Sequence, residues 1–244
     1  MQYLKYQPHS LLHKFIDCYW VLQTDSSPLN VPLFSDANTD LFMNLGNTKE
    51  NFAGYMPGRM YLRGPATSAH FCNCLPSSVY IGIRFKPGGL PLFYHVSLPC
   101  LVDQAKEFHD RKLALILDVD EFLPKRLDEY FLKNIKLDSS SIAITEAVYL
   151  NKGRISVDLL AKASNVSNRT LERYFFTNMG IGPKEFINIV RFKHLILALQ
   201  NYSTKEFAGI ALEMGFYDQS HFIKEIKKRG GVLPTSIFPI PEFP

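Results

Sequence analysis

Cysteine is scarce in this chain: 244 residues hold four, Cys18, Cys72, Cys74 and Cys100, and no pair of them has the C-x-x-C spacing. A disulfide framework is thereby excluded, since it needs dense, regular cysteines, and reduced thiols are expected. Long apolar runs are missing too. The longest candidate, Leu113 to Leu117, stops at Asp118, far short of the roughly 18 uncharged residues that cross a bilayer. The opening residues Met1-Gln2-Tyr3-Leu4-Lys5-Tyr6 lack a basic segment followed by an apolar core. No secretory leader is expected, and the expectation is a cytoplasmic protein with no membrane partner. Lys86-Pro87-Gly88-Gly89 has no following Lys-Ser/Thr and reads as a structural turn, not a phosphate loop. A nucleophile elbow and a zinc-protease helix are also lacking, so neither catalysis nor a cofactor is expected.

What is present is a globular composition, with 46% apolar, 13% aromatic and 20% charged residues, too hydrophobic for a disordered chain. The length exceeds the roughly 100 to 200 residues of one domain and favours two. Net charge is +4, unevenly placed: residues 151 to 244 carry +5 and residues 1 to 150 carry −1. Such asymmetry suits a basic module that meets a polyanion.

From Met1 to about Gly89 the chain reads as short β-type runs, clearest at Cys18 to Gln23, Leu41 to Leu45, His70 to Leu75 and Val79 to Phe85. Turn residues punctuate them and no helical pattern intervenes, which predicts an antiparallel sandwich or barrel. Leu11 to Phe15 reads as a helical turn. Asp120 to Ile135, with apolar residues near a 3.6-residue period, predicts an amphipathic helix. The polar stretch Lys136 to Ser141 reads as a linker. The expected domains are 1–137, β-rich with trailing helices, and 138–244, all-α, making the fold class α+β. Helix starts are marked by Ser156, Ser167 and the capping-box form Ser203-Thr204-Lys205-Glu206.

Within the helical half a unit recurs. Leu160-Ala161, Val166, Leu171 and Arg173 return as Ile210-Ala211, Phe216, Phe222 and Lys224, the pattern of two helix-turn-helix units in which a small Ala lets two helices cross closely. Gly215 suits a left-handed helix end. In the first unit's second helix Leu171, Tyr174 and Phe175 form the apolar stripe, leaving Asn168, Arg169, Glu172 and Arg173 open. In the second unit Phe222 and Ile226 face inward and Gln219, Ser220, His221 and Lys224 are presented. These polar types read base edges in a major groove, and recognition helices do so with their N-terminal residues. Pro183 to Gln200, apolar nearly all round, is about 27 Å long at 1.5 Å per residue and predicts a helix buried between the units. Two recognition helices so joined suit successive major-groove segments roughly 34 Å apart.

Residues 141 to 237 resemble the DNA-binding domain of AraC/XylS-type bacterial transcription regulators. The resemblance rests on Leu160-Ala161, Ser167-x-x-x-Leu171-x-Arg173-x-Phe175, Gly180-x-Gly182-Pro183-x-x-Phe186, Arg191 and Ala211-x-x-x-Gly215-Phe216-x-Asp218-Gln219-Ser220-His221-Phe222-x-Lys224, ending near Pro234. It implies base or backbone contacts for Arg169, Glu172 and Arg173, then for Gln219, Ser220, His221 and Lys224. Leu195, Ile226 and Gly230-Gly231 depart from the family's usual Ala, Phe and aromatic-Gly pair. The N-terminal half is similar to a β-rich domain fused to such regulators, through Phe15-x-x-x-Tyr19-Trp20, Asp40-x-x-x-Asn44-Leu45-Gly46 and Gly82-x-Arg84-Phe85-x-Pro87-Gly88-Gly89. The implied protein is a ligand-responsive transcription regulator. Its implied partners are double-stranded DNA, a small-molecule effector, a second copy in a homodimer, and RNA polymerase if it activates.

Other readings compete at single positions. His70, Cys72 and Cys74 alternate along one strand face and offer ligands for zinc or copper(I), with His95 or Cys100 to complete a set; buried thiols otherwise behave as small apolar groups. On that alternative the chain is a metal- or thiol-based sensor or DNA-repair protein using Cys72 and Cys74. Arg84 either anchors an anionic ligand, with Trp20 and Tyr80 lining its pocket, or pairs with Asp103 or Glu107 at the surface. His221 either contacts DNA or satisfies local backbone.

Overall fold

The structure, a computed structural model, describes residues 1–27, 29–46, 55–74, 76–136, 142–199 and 218–231. Its β half contains strands β1 (Gln2–Tyr6), β2 (Ile16–Gln23), β3 (Leu29–Leu33), β4 (Thr39–Asn44), β5 (Met60–Arg63), β6 (His70–Cys74), β7 (Val79–Phe85) and β8 (Ala105–Phe108). Six of them form an antiparallel sheet in the order β1-β2-β7-β4-β5-β8, and β3 pairs with β6 in a second, two-stranded sheet. The expected sandwich is therefore present. Four of its strands match the apolar runs named above. β8 does not: it has only four residues, two of them the exposed Lys106 and Glu107, so its alternation is masked by charge, and only pairing with β5 makes it a strand.

Both faces of the large sheet are covered, which explains why β2 and β7 are buried along almost their whole length. One face, with Tyr19, Val21, Leu41, Ile81, Ile83 and Phe85, packs against 3-10 turns at Leu90–Leu92 and Leu98–Leu101 and against Leu123, Leu127 and Phe131. These last three lie on helix α2 (Leu123–Asn134), the predicted amphipathic helix, which follows a short α1 (Arg111–Ala114). The Tyr19 hydroxyl donates to Asp128 of α2 at 2.9 Å and fixes it on the sheet. The other face, with Cys18, Trp20, Leu22, Phe42 and Tyr80, meets Leu33 and Cys74 of the small sheet. Gly82 stands between Trp20 and Phe42 in register, and a Cβ there would lie 2.3 Å from the indole.

The helical half contains α3 (Ile142–Leu150), α4 (Val157–Ala163), α5 (Asn168–Met179), α6 (Pro183–Leu199) and α7 (Gln219–Gly230). Leu160, Ala161, Leu171, Phe175 and Met179 pack on Phe186, Ile187, Ile189 and Val190 of α6. Ala37 and Val102 of the β half join the same cluster, so the two halves share packed surface. α6 is apolar nearly all round, as expected, yet Leu197 is 58% exposed, on the wall of a cleft between the halves. Among the described residues no helix is long and apolar enough to cross a membrane. The capping box at 203–206, Gly215 and the first helix of the second unit lie outside the described residues.

Candidate nucleic-acid interface

α5 and α7 are built alike. Each has twelve residues, begins at a residue whose side-chain oxygen accepts a backbone N–H three positions on, and ends at a glycine with positive φ. Ser167 accepts from Thr170 N–H at 3.1 Å, and Asp218 from His221 N–H at 2.7 Å. Such caps satisfy donors that the helix itself leaves unpaired, and each contributes about 1 kcal/mol. Gly180 (φ +76°) and Gly231 (φ +73°) end the two helices in the left-handed region that side chains with a Cβ avoid.

On α5 the buried stripe is Leu171, Phe175 and Met179, with Tyr174 half-buried at its margin. Arg169, Glu172 and Arg173 are exposed together on the opposite side of the first turns, joined by Phe176, which is 49% exposed. Asn168 is also exposed, but its amide donates to Asp158 of α4 at 2.7 Å, which ties the start of α5 to the preceding helix. On α7, Phe222 and Ile226 are fully buried while Ser220, His221 and Lys224 are exposed. The side chain of Gln219 lies outside the described residues. Lys227 and Lys228 extend the open face of α7 and place positive charge at the helix's negative C-terminal end.

Arg84 is not a surface residue, and its partners are neither Asp103 nor Glu107. It is buried on β7, with cross-strand neighbours Asp40 on β4 and Cys18 on β2. Its guanidinium pairs with Asp36 and with Asp40, 3.2 Å away; Arg63 and the Trp20 indole donate to the same Asp40 carboxylate. Asp103 is instead occupied by Thr67 and Glu107 by Arg59. The reason is register: the central strand places Arg84 beside acidic neighbours that sequence distance hides. Trp20 and Tyr80 lie in the packed layer between the sheets, whereas Arg84 reaches a cleft of about 750 Å³ between the halves, lined also by Lys14, Phe15, Tyr149, Phe192 and Lys193.

Cys74 is buried among apolar side chains of the small sheet's contact layer, and burial lowers the pKa of half-buried His70. The Cys72 side chain lies outside the described residues. Among the described residues no three His, Cys, Asp or Glu side chains gather as a metal set.

Residues 160–238 match the family described as "Helix-turn-helix domain", and residues 4–107 match "Domain of unknown function (DUF6597)". The HTH-type transcriptional regulator MtrA of Neisseria gonorrhoeae is 30% identical over 184 residues, covering 69% of this chain and 58% of MtrA. The C-terminal half is an AraC-type helix-turn-helix domain. Similar in the same way is the lactose operon transcription activator of Staphylococcus xylosus, 28% identical over 139 residues, 54% of this chain and 50% of the activator. The chain thus spans between half and three-fifths of the length of these relatives. A crystal structure of ToxT from Vibrio cholerae aligns with 96% of this chain and 96% of its own, at 13% identity and a TM-score of 0.48. The helix-turn-helix match takes in α5, α6 and α7.

Proposed function

We propose that the chain is a sequence-specific transcription regulator in which residues 138–244 grip double-stranded DNA and residues 1–137 sense a signal or mediate dimerisation. The observation that carries this reading is the matched pair of capped helices, each with a buried apolar stripe and an open polar N-terminal face. Arg169, Glu172 and Arg173 of α5 and Gln219, Ser220, His221 and Lys224 of α7 read adjacent major-groove segments. Arg donates in a bidentate fork to guanine O6 and N7, and Glu accepts from a cytosine amino group or orients Arg173. The exposed Lys227 of α7 supplies a phosphate contact, which positions without specifying sequence. A small-molecule effector enters at the cleft between the halves, where both contribute lining and where a bound molecule alters their contact.

The test is selection of bound duplexes from a random library by the full-length protein at fixed salt, followed by Arg173→Ala on the enriched site. A base contact costs about 1 to 3 kcal/mol on that site and relaxes one base pair. Equal weakening on all sequences assigns Arg173 to phosphate, and no enriched motif at all defeats the reading.

A further inference from the structure

The ends of α5 and α7 that point away from their base-reading residues are both seated on the β half. At the end of α5, Gly180 lies so close to the 3-10 turn Leu98–Leu101 that a Cβ on it would sit 2.7 Å from the Leu98 carbonyl oxygen. At the end of α7 the contact is made of hydrogen bonds. The last carbonyls of a helix have no partner within it and usually turn to water or to a cap. Here the Lys228 carbonyl accepts from Ala69 N–H at 2.9 Å and the Arg229 carbonyl from Ser35 N–H at 2.8 Å. The Arg229 side chain is fully buried beneath them. Its Nη1 donates to Glu185 at the start of α6 (2.8 Å), to the Ser35 hydroxyl (3.3 Å) and to the Thr67 carbonyl (3.3 Å), and its Nε donates to Glu225 at 2.6 Å. Burial opposes the charge, and the two glutamates outweigh it, holding the guanidinium's pKa above its ordinary value.

The two seats are joined by direct contacts. Gly64 packs on the backbone of Leu101 so closely that a Cβ would be 2.3 Å from its carbonyl oxygen. From there the chain runs as a strap through Ala66, which is bridged to Asp36, and Thr67, whose N–H and hydroxyl both donate to Asp103 at 2.7 and 2.6 Å. It ends at Ala69, on α7. The turn that holds α5 and the strap that holds α7 are therefore joined by direct contacts, independently of α6.

We propose that the β half sets the spacing between the two DNA segments that the recognition helices read, with Arg229 as the positioning residue that clamps α7 to it. This rests on α5 and α7 being the recognition helices. Arg229 is suited to the task because its Nη1 binds Glu185 of α6 and Ser35 and Thr67 of the β half at once, while its Nε holds Glu225 of its own helix. Lysine in its place ends one bond short of the Nη1 position and has no counterpart of Nε, so it cannot keep both the shared contact with Glu185, Ser35 and Thr67 and the bond to Glu225. The neighbouring Gly230, where the resembled family carries an aromatic residue, brings no side chain of its own to this corner.

The experiment uses full-length wild type, Arg229→Lys, and Ala69→Pro, which removes the N–H that the Lys228 carbonyl accepts. Each is put through selection on a library in which two sequence blocks are separated by a variable number of base pairs. Wild type is expected to enrich one spacing. Both variants are expected to enrich the same two blocks over several spacings, binding the wild-type spacing about tenfold more weakly, the size of an ordinary coupling between sites. One unchanged spacing in both variants would overturn the proposal. Loss of the second block in both would overturn it also, making this corner a folding element of the second unit only. If the wild type enriches no block, the recognition-helix reading itself fails and takes the proposal with it.

Discussion

Lys193 of α6 places its Nζ 2.8 Å from Asp36 Oδ1, in the loop after β3, while the other oxygen of Asp36 pairs with Arg84 of β7. One carboxylate thus joins the helical half to the centre of the sheet. The three groups are unequally exposed: the Lys193 side chain is 40% exposed, that of Asp36 16% and that of Arg84 7%.

That inequality predicts unequal costs. Buried Arg84 loses a charged hydrogen-bond partner with Asp36 and keeps Asp40 and the more distant Asp17, whereas the Lys193 ammonium, whose pKa burial already lowers to about 8, gains little from its pair. Asp36→Asn is expected to lower the unfolding free energy by about 1.5 to 3 kcal/mol, the range of hydrogen bonds to charged groups, and Lys193→Met by about 0 to 1 kcal/mol. Urea midpoints of the two variants decide it, and equal costs would mean that Asp40 and Asp17 satisfy Arg84 without Asp36.

Gly82→Ala places a methyl where the Trp20 indole lies. In a close-packed layer such overfilling costs about 1 to 3 kcal/mol. The same denaturation curve measures it, and a variant as stable as wild type would show that Trp20 has another rotamer within reach.

Acid stability should depend on Asp110. Burial raises its pKa, but hydrogen bonds from Leu113 N–H and from the Tyr130 and Tyr94 hydroxyls outweigh this and hold it below the ordinary 3.8. A carboxylate depressed in the folded state stabilises fully above its unfolded pKa, and that contribution is lost as pH falls through the folded one. Tyr130→Phe is therefore expected to be less stable than wild type at neutral pH, with the gap closing in acid. Unfolding free energies between pH 2 and 7 test this, a constant gap being the contrary result.

Ser167→Ala removes the oxygen that caps α5 and should cost about 1 kcal/mol of stability. Because α5 presents Arg169 and Arg173 within its first turns, fraying there should also weaken DNA binding. Fluorescence anisotropy on the selected site reads this, and an unchanged affinity would place the important contacts farther along the helix.

Much of the helical half is legible in the chain because its signals are local. Ser156 and Ser167 cap α4 and α5 as their residue types require, and Gly180 ends α5. The apolar period separates Leu171 and Phe175 from Arg169 and Arg173 without reference to anything beyond the next turn. The strands around Cys18 to Gln23 and Val79 to Phe85 are equally plain, whereas β8 and the pairing of β3 with β6 come only from partners far along the chain.

The partners of single charged residues are decided differently. Nothing near Arg84 in sequence announces Asp36, Asp40 and the approach of Lys193, and nothing in the Lys227-Lys228-Arg229 run announces that Arg229 is wholly buried. Helix period, caps and turns express interactions within about four residues, so the amino-acid sequence alone determined the helices, the plainer strands and which helix faces stay open. Sheet register and the seating of the helical half on the β half join residues dozens of positions apart. Only the tertiary structure, by bringing residues 35, 67, 185 and 229 to one corner, decided which charges are buried and what holds the second recognition helix in place.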